Sequence, residues 1–345
     1  MLQIIVNAYA CSPHTGSEPG MAWNWCVHLA KHCKLHIITE GEFRPYIEEA
    51  LTKLPQASNM HFYYNPVSNS VRKMCWNQGD WRFYKHYKDW QFKTYQIALQ
   101  LIEKEQISIV HQLNMIGFRE PGYLWKIMDI PFVWGPIGGL KQFPTNYLQH
   151  TNLKTKAFIR LKNFLNIKQL QYDNRVNSAL KRANLLISSI PDSYHAIKDY
   201  KGYESIIIPE TGCYANNYER GINQLEDEEF KVLWVGKFDF RKQLPIALKS
   251  IAVANNSKIK LHVYGSGTDK QKLEAQNLIS SMGISNQIIW HGNQPNDVVQ
   301  KAMRESNLFF FTSVSEDTST VVLEAISNNL PVLCFNACGF GYVID

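Results

Sequence analysis

An α/β protein of two doubly wound domains facing each other across a cleft is the fold class this sequence predicts, on three observations. The chain has 345 residues, which at roughly 150 residues per domain suits two domains. Short apolar runs alternate with helical stretches over the first half, a pattern that argues for a parallel sheet with helices on both faces. A polar stretch from Gly212 to Glu229 then breaks the pattern, and the alternation restarts after it. The expected division is a first domain over 1–212, a linker over 213–229 and a second domain over 230–345.

The elements follow in order. Ile4-Ile5-Val6-Asn7-Ala8-Tyr9 reads as a buried strand, followed by a loop rich in Ser, Pro and Gly up to Gly20. Ala22, Trp25, Cys26, Leu29 and Cys33 recur at helical spacing. Further strands are expected over 35–39, 62–64, 109–111, 132–134, 185–188 and 206–208. In the second half, strands are expected over 231–235, 261–264, 288–290, 308–312 and 332–335. Pro245 suits the first turn of a helix, another helix runs over 270–282, and one begins near Thr320. No closing helix is expected between the last strand and Asp345, so the second domain reads as one or two elements short. Ligands in such sheets bind at the carboxyl ends of the strands, which makes the loops after those strands the places to search.

Composition narrows the classes. Hydrophobic residues make up 45% and charged residues 19%, enough apolar surface for sizeable cores and too much for a disordered chain. No apolar run approaches the ~18 residues of a membrane span, and Met1-Leu2-Gln3-Ile4 opens no signal peptide. The seven cysteines (11, 26, 33, 75, 213, 334, 338) form no C-x-x-C pair, so neither a disulfide framework nor a zinc ribbon is expected and the compartment reads as cytoplasmic. Cys26, His28, His32 and Cys33 lie close in sequence, yet on a helix the cysteines share the apolar face and the histidines form a separate row. They do not converge on one tetrahedral site. The absence of G-x-S-x-G leaves a serine hydrolase without support.

The richest constellation is Glu316-Asp317-Thr318-Ser319-Thr320-Val321-Val322-Leu323-Glu324, directly after the apolar run Phe309-Phe310-Phe311-Thr312. Glu316 falls at the end of a strand and Glu324 in an early turn of the next helix. Between them, the backbone N–H groups of Thr318 to Val321, Thr320 and Val321 among them, at that helix's N-terminus, are expected to form a ready anion site. The plainer alternative is that both glutamates only complement the helix dipole.

E-x7-E after a strand, followed by Glu324-Ala325 and Leu330-Pro331-Val332, resembles the signature of family 4 glycosyltransferases, group 1 type, retaining enzymes with the two-domain GT-B fold. Val235-Gly236-Lys237-Phe238-Asp239-Phe240-Arg241-Lys242 resembles that family's phosphate-binding loop. Val263-Tyr264-Gly265-Ser266-Gly267 resembles its second glycine turn, and Trp290-His291-Gly292 its strand near the base. The resemblance is good from Lys231 onward, weaker over 1–40 and 107–140, and absent over 41–105 and 141–185. Lys237 stands where the family usually has Arg, and Gln243 and Asn329 where it has Gly.

The resemblance implies a transfer from a nucleoside-diphosphate sugar to a hydroxyl of a glycan or lipid-linked glycan, as in bacterial surface-polysaccharide synthesis. Lys237, Arg241 and Lys242 would neutralise the departing diphosphate beside Gly236, with Thr320 and Val321 adding N–H donors. Glu316 would bind the donor sugar's hydroxyls and Glu324 the ribose. The implied mechanism is a same-face attack that needs no protein nucleophile and no metal or other cofactor. Gly16 and Gly20 in the first loop would let a ligand approach the backbone, with Glu18 between them as an acceptor contact. His111, at a strand end, reads either as a catalytic contact or as a packed core residue. Gly138-Gly139 reads either as cleft lining or as a tight turn.

The net charge of +6 is unevenly spread: residues 1–212 carry 24 Lys+Arg against 16 Asp+Glu, and residues 213–345 carry 12 against 14. Residues 72–95 combine six basic residues with eight aromatics, and 141–182 hold nine basic residues against the single Asp173. Such stretches suit an anionic membrane surface at the inner face of the cell membrane, or are solvated helix faces over core aromatics. No groove-reading motif points to nucleic acid. Two further function classes stay open: a non-catalytic sugar-nucleotide binder or assembly partner, motivated by the short second domain, and a GT-B-fold sugar-nucleotide epimerase.

Overall fold

Ile4 and Val6 enter one core cluster and Ile5 another, because successive side chains of a strand point to opposite faces. A strand buried on both faces must be apolar throughout, which is why these runs stand out in the sequence. The computed structural model describes residues 1–77, 80–149, 151–214 and 229–344, in two units: Met1–Leu140 with Phe164–Glu210, and Lys141–Asn163 with Thr211–Asp345. Most of the expected linker, 215–228, lies outside the described residues.

In the first unit, seven strands form one parallel sheet: β1 (Gln3–Ala8), β2 (Lys34–Thr39), β3 (Met60–Tyr64), β4 (Ile109–Asn114), β5 (Phe132–Ile137), β6 (Leu185–Ser188) and β7 (Ile206–Ile207). Their order is β3-β2-β1-β4-β5-β6-β7, so the order reverses between β1 and β4. The connecting helices are α1 (Ser17–Leu29), α2 (Arg44–Leu51), α3 (Asn69–Trp76), α4 (Phe83–Lys104), the part of α5 (Leu153–Tyr172) from Phe164 on, α6 (Asn174–Arg182) and α7 (Pro191–Lys201). The lone Asp173 of the basic run caps α6, accepting from the N–H groups of Arg175 and Val176. Gly202 ends α7 in the left-handed conformation at φ 71°.

In the second unit the parallel order is β10-β9-β8-β11-β12, from β8 (Phe230–Val235), β9 (Ile259–Tyr264), β10 (Ile288–Gly292), β11 (Leu308–Phe311) and β12 (Val332–Cys334). The order reverses between β8 and β11. Its helices are α8 (Leu244–Ala254), α9 (Asp269–Met282), α10 (Asn296–Glu305), α11 (Thr320–Ser327) and the short α12 (Cys338–Ile344). The last of these occupies a stretch where the sequence showed no helix. Pro245 lies in the first turn of α8, and a capping box of Thr268 and Gln271 opens α9.

Residues 141–163, expected with the first domain, pack with the second unit instead. Phe143, Leu148 and Ile159 cluster with Val314, the Phe143 and Phe240 rings lie 5.3 Å apart, and Gln243 Nε2 donates to Tyr147 O at 3.1 Å.

Much of the basic and aromatic excess is structural. Phe83, Tyr87 and Trp90 are buried against Tyr9. Arg72 forks onto buried Glu40 at 2.7 Å, and Arg182 donates to the carbonyls of Ile127, Met128 and Ile130. Arg175 pairs at 2.8 Å with Glu120, whose side chain is 6% exposed. Because Lys88, the other cation near Glu120, is half exposed, Arg175→Ala leaves a buried carboxylate poorly compensated. It is expected to cost about 3 kcal/mol in a urea unfolding series.

Candidate functional site

In the second unit, the loop after β8 and the loop after β11 flank the point where strand order reverses, the ligand-binding position of an open α/β sheet. A buried chain of hydrogen bonds joins them. Trp234 Nε1 donates to Thr312 Oγ1 at 3.0 Å, and that hydroxyl donates to Lys242 O at 2.7 Å. Val314 N donates to Arg241 O at 2.9 Å.

Asp239 shapes the first loop. Its Oδ1 accepts from Arg241 N at 2.8 Å and Lys242 N at 3.3 Å, and its Oδ2 pairs with the Arg241 guanidinium at 2.7 Å. Burial pushes the Asp239 carboxyl up, and the guanidinium and the two N–H groups more than reverse this, leaving it below the usual range. Lys242 Nζ then lies 2.9 Å from Glu316 Oε1, and Ser313 Oγ donates to the same oxygen at 2.9 Å. Lys141 Nζ lies 2.9 Å from Asp317 Oδ1. Lys237 is exposed on the first loop, with no ion pair among the described residues.

Gly236 donates its N–H to Tyr264 O at 2.9 Å, and Gly265 donates to Gly292 O at 2.6 Å. A Cβ on Gly265 would sit 1.9 Å from Gly236 O, at a φ of +129°. The glycine turns after β8, β9 and β10 are therefore interlocked.

At α11 the first intrahelical donors are Val322 and Leu323, both bonded to Ser319 O. The N–H groups of Thr320 and Val321 precede them, at the positive end of the helix. Glu324 is half-buried in the second turn, 3.3 Å from Asn296 Nδ2, and burial raises its carboxyl above the ordinary value.

The second unit thus gathers Gly236, Lys237, Arg241 and Lys242 on one loop, Glu316 against Lys242, and Thr320, Val321 and Glu324 on one helix. Sequence reasoning singled out these residues. It missed Ser313 and Asn296, which hold the two glutamates, and Asp239, whose place just before two cations was the available signal. Lys141 was missed because it lies far from Asp317 in sequence and no local pattern marks it.

The remaining candidates belong to the first unit. Gly16 caps α1, and a Cβ there would meet nothing within 4 Å. Gly20 has a different reason to be glycine, since a Cβ would fall 2.3 Å from Thr15 O. Glu18 Oε1 accepts from Ile116 N at 3.4 Å. His111 is buried; its Nε2 donates to Gly135 O at 2.7 Å, and burial lowers its pKa to about 4, so it is neutral at pH 7. Gly138 exchanges backbone bonds with Ile116 and Phe118, and a Cβ on it would fall 2.9 Å from Ile116 Cδ1, whereas Gly139 has room for a Cβ but sits at φ +79°. Cys26 and Cys33 are buried while His28 and His32 are exposed.

Gly265→Ala is expected to lower the melting temperature of the second unit markedly, whereas Gly16→Ala, whose Cβ meets no atom, is expected to cost only the small loss of a poorer helix cap; differential scanning calorimetry separates the two. Glu324→Gln removes a charge that burial disfavours. Because the folded carboxyl titrates above its unfolded value, the variant is expected to melt higher than the parent above that raised pKa. The advantage vanishes below the unfolded value of about 4.3, and a melting series from pH 3.5 to 8 checks it.

Residues 216–345 match the family model "Glycosyl transferases group 1". A stretch of 129 residues, 37% of this chain, is 25% identical to the uncharacterized glycosyltransferase MJ1607 of Methanocaldococcus jannaschii, and spans about a third (32%) of that protein. Among solved structures, Anabaena Alr3699/HepE in complex with UDP is similar over 100% of this chain and 83% of its own, at a TM-score of 0.62 and 14% identity. The lipopolysaccharide outer core galactosyltransferase WaaB is similar over 98% and 81%, at a TM-score of 0.58 and 15% identity. The fold is GT-B, two Rossmann-like parallel sheets, and its segment 216–345 matches the group 1 glycosyltransferases.

Proposed function

We propose that the chain transfers a sugar from a nucleoside-diphosphate sugar to a hydroxyl of a glycan or lipid-linked glycan, with retention of anomeric configuration, as a cytoplasmic enzyme at the inner membrane face. The observation that carries this reading is the meeting of Lys242 and Glu316, 2.9 Å apart, where the strand order reverses. Cations for a diphosphate and a carboxylate for sugar hydroxyls stand side by side there.

In this reading the donor's diphosphate exchanges places with the carboxylates that now occupy the cations. Lys242 turns from Glu316 toward a phosphate oxygen, Lys237 and Arg241 add charge, and Thr320 and Val321 donate N–H groups. Glu316, released from Lys242 but still held by Ser313, accepts from hydroxyls of the donor sugar. Glu324 accepts from the ribose. As the glycosidic bond to the diphosphate breaks, negative charge grows on the leaving oxygen, and these donors stabilise it. The acceptor hydroxyl attacks from the same face and passes its proton to a donor phosphate oxygen. The reading calls for no metal ion, and His111, neutral and committed to Gly135 O, carries no step in it.

The structural neighbour HepE holds UDP and, in another crystal, UDP-glucose, so uridine nucleotides come first among donors. WaaB acts in the lipopolysaccharide outer core, which supports a lipid-linked acceptor. The test is a thermal-shift series of UDP-, ADP- and GDP-sugars on the parent, Glu324→Ala and Lys242→Gln, followed by product analysis. A ligand at 100 times its Kd adds about 2.7 kcal/mol, so one nucleotide is expected to raise the parent's melting temperature and to act less on Glu324→Ala. Lys242→Gln is expected to fold and to lose roughly 100–1,000-fold in transfer rate. No shift with any nucleotide sugar overturns the reading. Binding without turnover assigns a non-catalytic binder, and an isomerised nucleotide sugar assigns an epimerase.

A further inference from the structure

Arg119 is half-buried in the loop after β4, at the carboxyl end of the first sheet and beside the point where its strand order reverses between β1 and β4. That loop is held to the one after β5, since Gly138 N donates to Ile116 O at 2.8 Å and Phe118 N donates to Gly138 O at 3.2 Å. The Arg119 guanidinium rests over the buried Phe118 ring, 4.8 Å from its centroid. Its Nε donates to Gln169 Oε1 at 2.5 Å and its Nη2 to Asn166 Oδ1, both on the part of α5 that belongs to the first unit. Asn166 is buried and gives its own Nδ2 to Gly139 O at 3.3 Å, so its oxygen is fixed in place. The two amides hold one edge of the guanidinium and set its plane, and neither carries charge. Nη1 makes no hydrogen bond among the described residues and is not sealed from water. No carboxylate among the described residues pairs with Arg119: Glu120 is taken by Arg175 and Lys88, and Glu40 by Arg72. Burial lowers the Arg119 pKa from its ordinary value, and the Tyr84 phenol, in the first turn of α4, is the one titratable group that acts against this.

We propose that Arg119 anchors an oxyanion site in the first unit and that, on the transferase reading, it holds a phosphate or a carboxylate of the acceptor. A partly desolvated cation without a counter-charge is costly, and a bound anion removes that cost. A packing role accounts for the edge held by the two amides but not for the charge, because a neutral donor would serve both amide oxygens. The other edge, Nη1 with the second Nη2 hydrogen, is the planar fork that matches two oxygens of a phosphate or carboxylate. The nearby Tyr84 hydroxyl can donate as well. The site lies wholly in the first unit and uses none of the residues assigned to the donor. Its acceptor assignment rests on the transferase reading; the anion site itself does not.

The experiment is an NMR titration of the nitrogen-labelled full chain at constant pH and ionic strength, followed on the Arg119 Nε–H signal. The bond to Gln169 protects that proton from exchange, and the signal is assigned by its loss in Arg119→Lys. Inorganic phosphate and glucuronate are added in separate arms, with chloride as the control. A saturable shift with phosphate, with glucuronate or with both is expected, and the arm that responds names the source of the anion. No shift in either arm, or an equal one with chloride, overturns the site. Arg119→Lys keeps the charge and loses the fork. In the transfer assay the responding anion is expected to inhibit competitively with the acceptor, and Arg119→Lys to weaken that inhibition by about tenfold or more. Competition with the donor alone, or inhibition unchanged in the variant, overturns the acceptor assignment. If no nucleotide sugar supports transfer, that assignment falls with the transferase reading, and the titration still decides the anion site.

Discussion

The site in the second unit rests on one buried chain, from the Trp234 indole through Thr312 to the carbonyl of Lys242. The indole can only donate, so it needs an acceptor once buried. The threonine hydroxyl both accepts and donates, and the carbonyl it reaches belongs to the residue whose side chain meets Glu316. Each bond contributes only about 1 kcal/mol net, but leaving a buried partner unsatisfied costs about 1–3 kcal/mol. The chain therefore fixes the loop after β8 against the strand beside it. The Asp239 turn, the Arg241–Asp239 pair and the aim of Lys242 all follow from that fixed backbone.

The strands were legible because a parallel sheet covered on both faces demands near-continuous apolar runs, and Ile4–Tyr9 and Leu308–Thr312 are such runs. Helix α4 was harder to read. Phe83, Tyr87 and Trp90 stand at helical spacing and form a core stripe, yet the lysines between them give the same stretch the composition of a surface. In the site, motif spacing marked Glu316, Glu324 and the basic loop. What spacing could not show was pairing. That Lys242 is bound to Glu316, or that Lys141 reaches Asp317, depends on side chains brought together only by tertiary packing. Gly20 shows the reverse: its glycine serves its own chain's Thr15 carbonyl.

Two positions where the family resembled in the sequence usually has glycine find a common physical account. Gln243 and Asn329 stand there, and both adopt left-handed backbone at φ 51° and 53°. The fold still imposes the conformation for which glycine is preferred. At Gln243 the side chain offsets the strain by donating to Phe240 O at 2.7 Å and to Tyr147 O, so the residue that departs from the pattern also ties residues 141–163 to the loop.

The ion pairs around Lys242 have a consequence for how an anion would arrive. Lys141, Lys237, Arg241 and Lys242 are matched in number by Asp239, Glu316, Asp317 and Glu324. Such a site projects little long-range potential. It would not pull anions from a distance as an open basic cleft does, and its association rate would depend only weakly on ionic strength. In the proposed reading, discrimination is made at contact: a ligand would have to offer an anion that displaces Glu316 from Lys242 and hydroxyls that give Glu316 new partners. A free phosphate satisfies the first demand and leaves the second unmet.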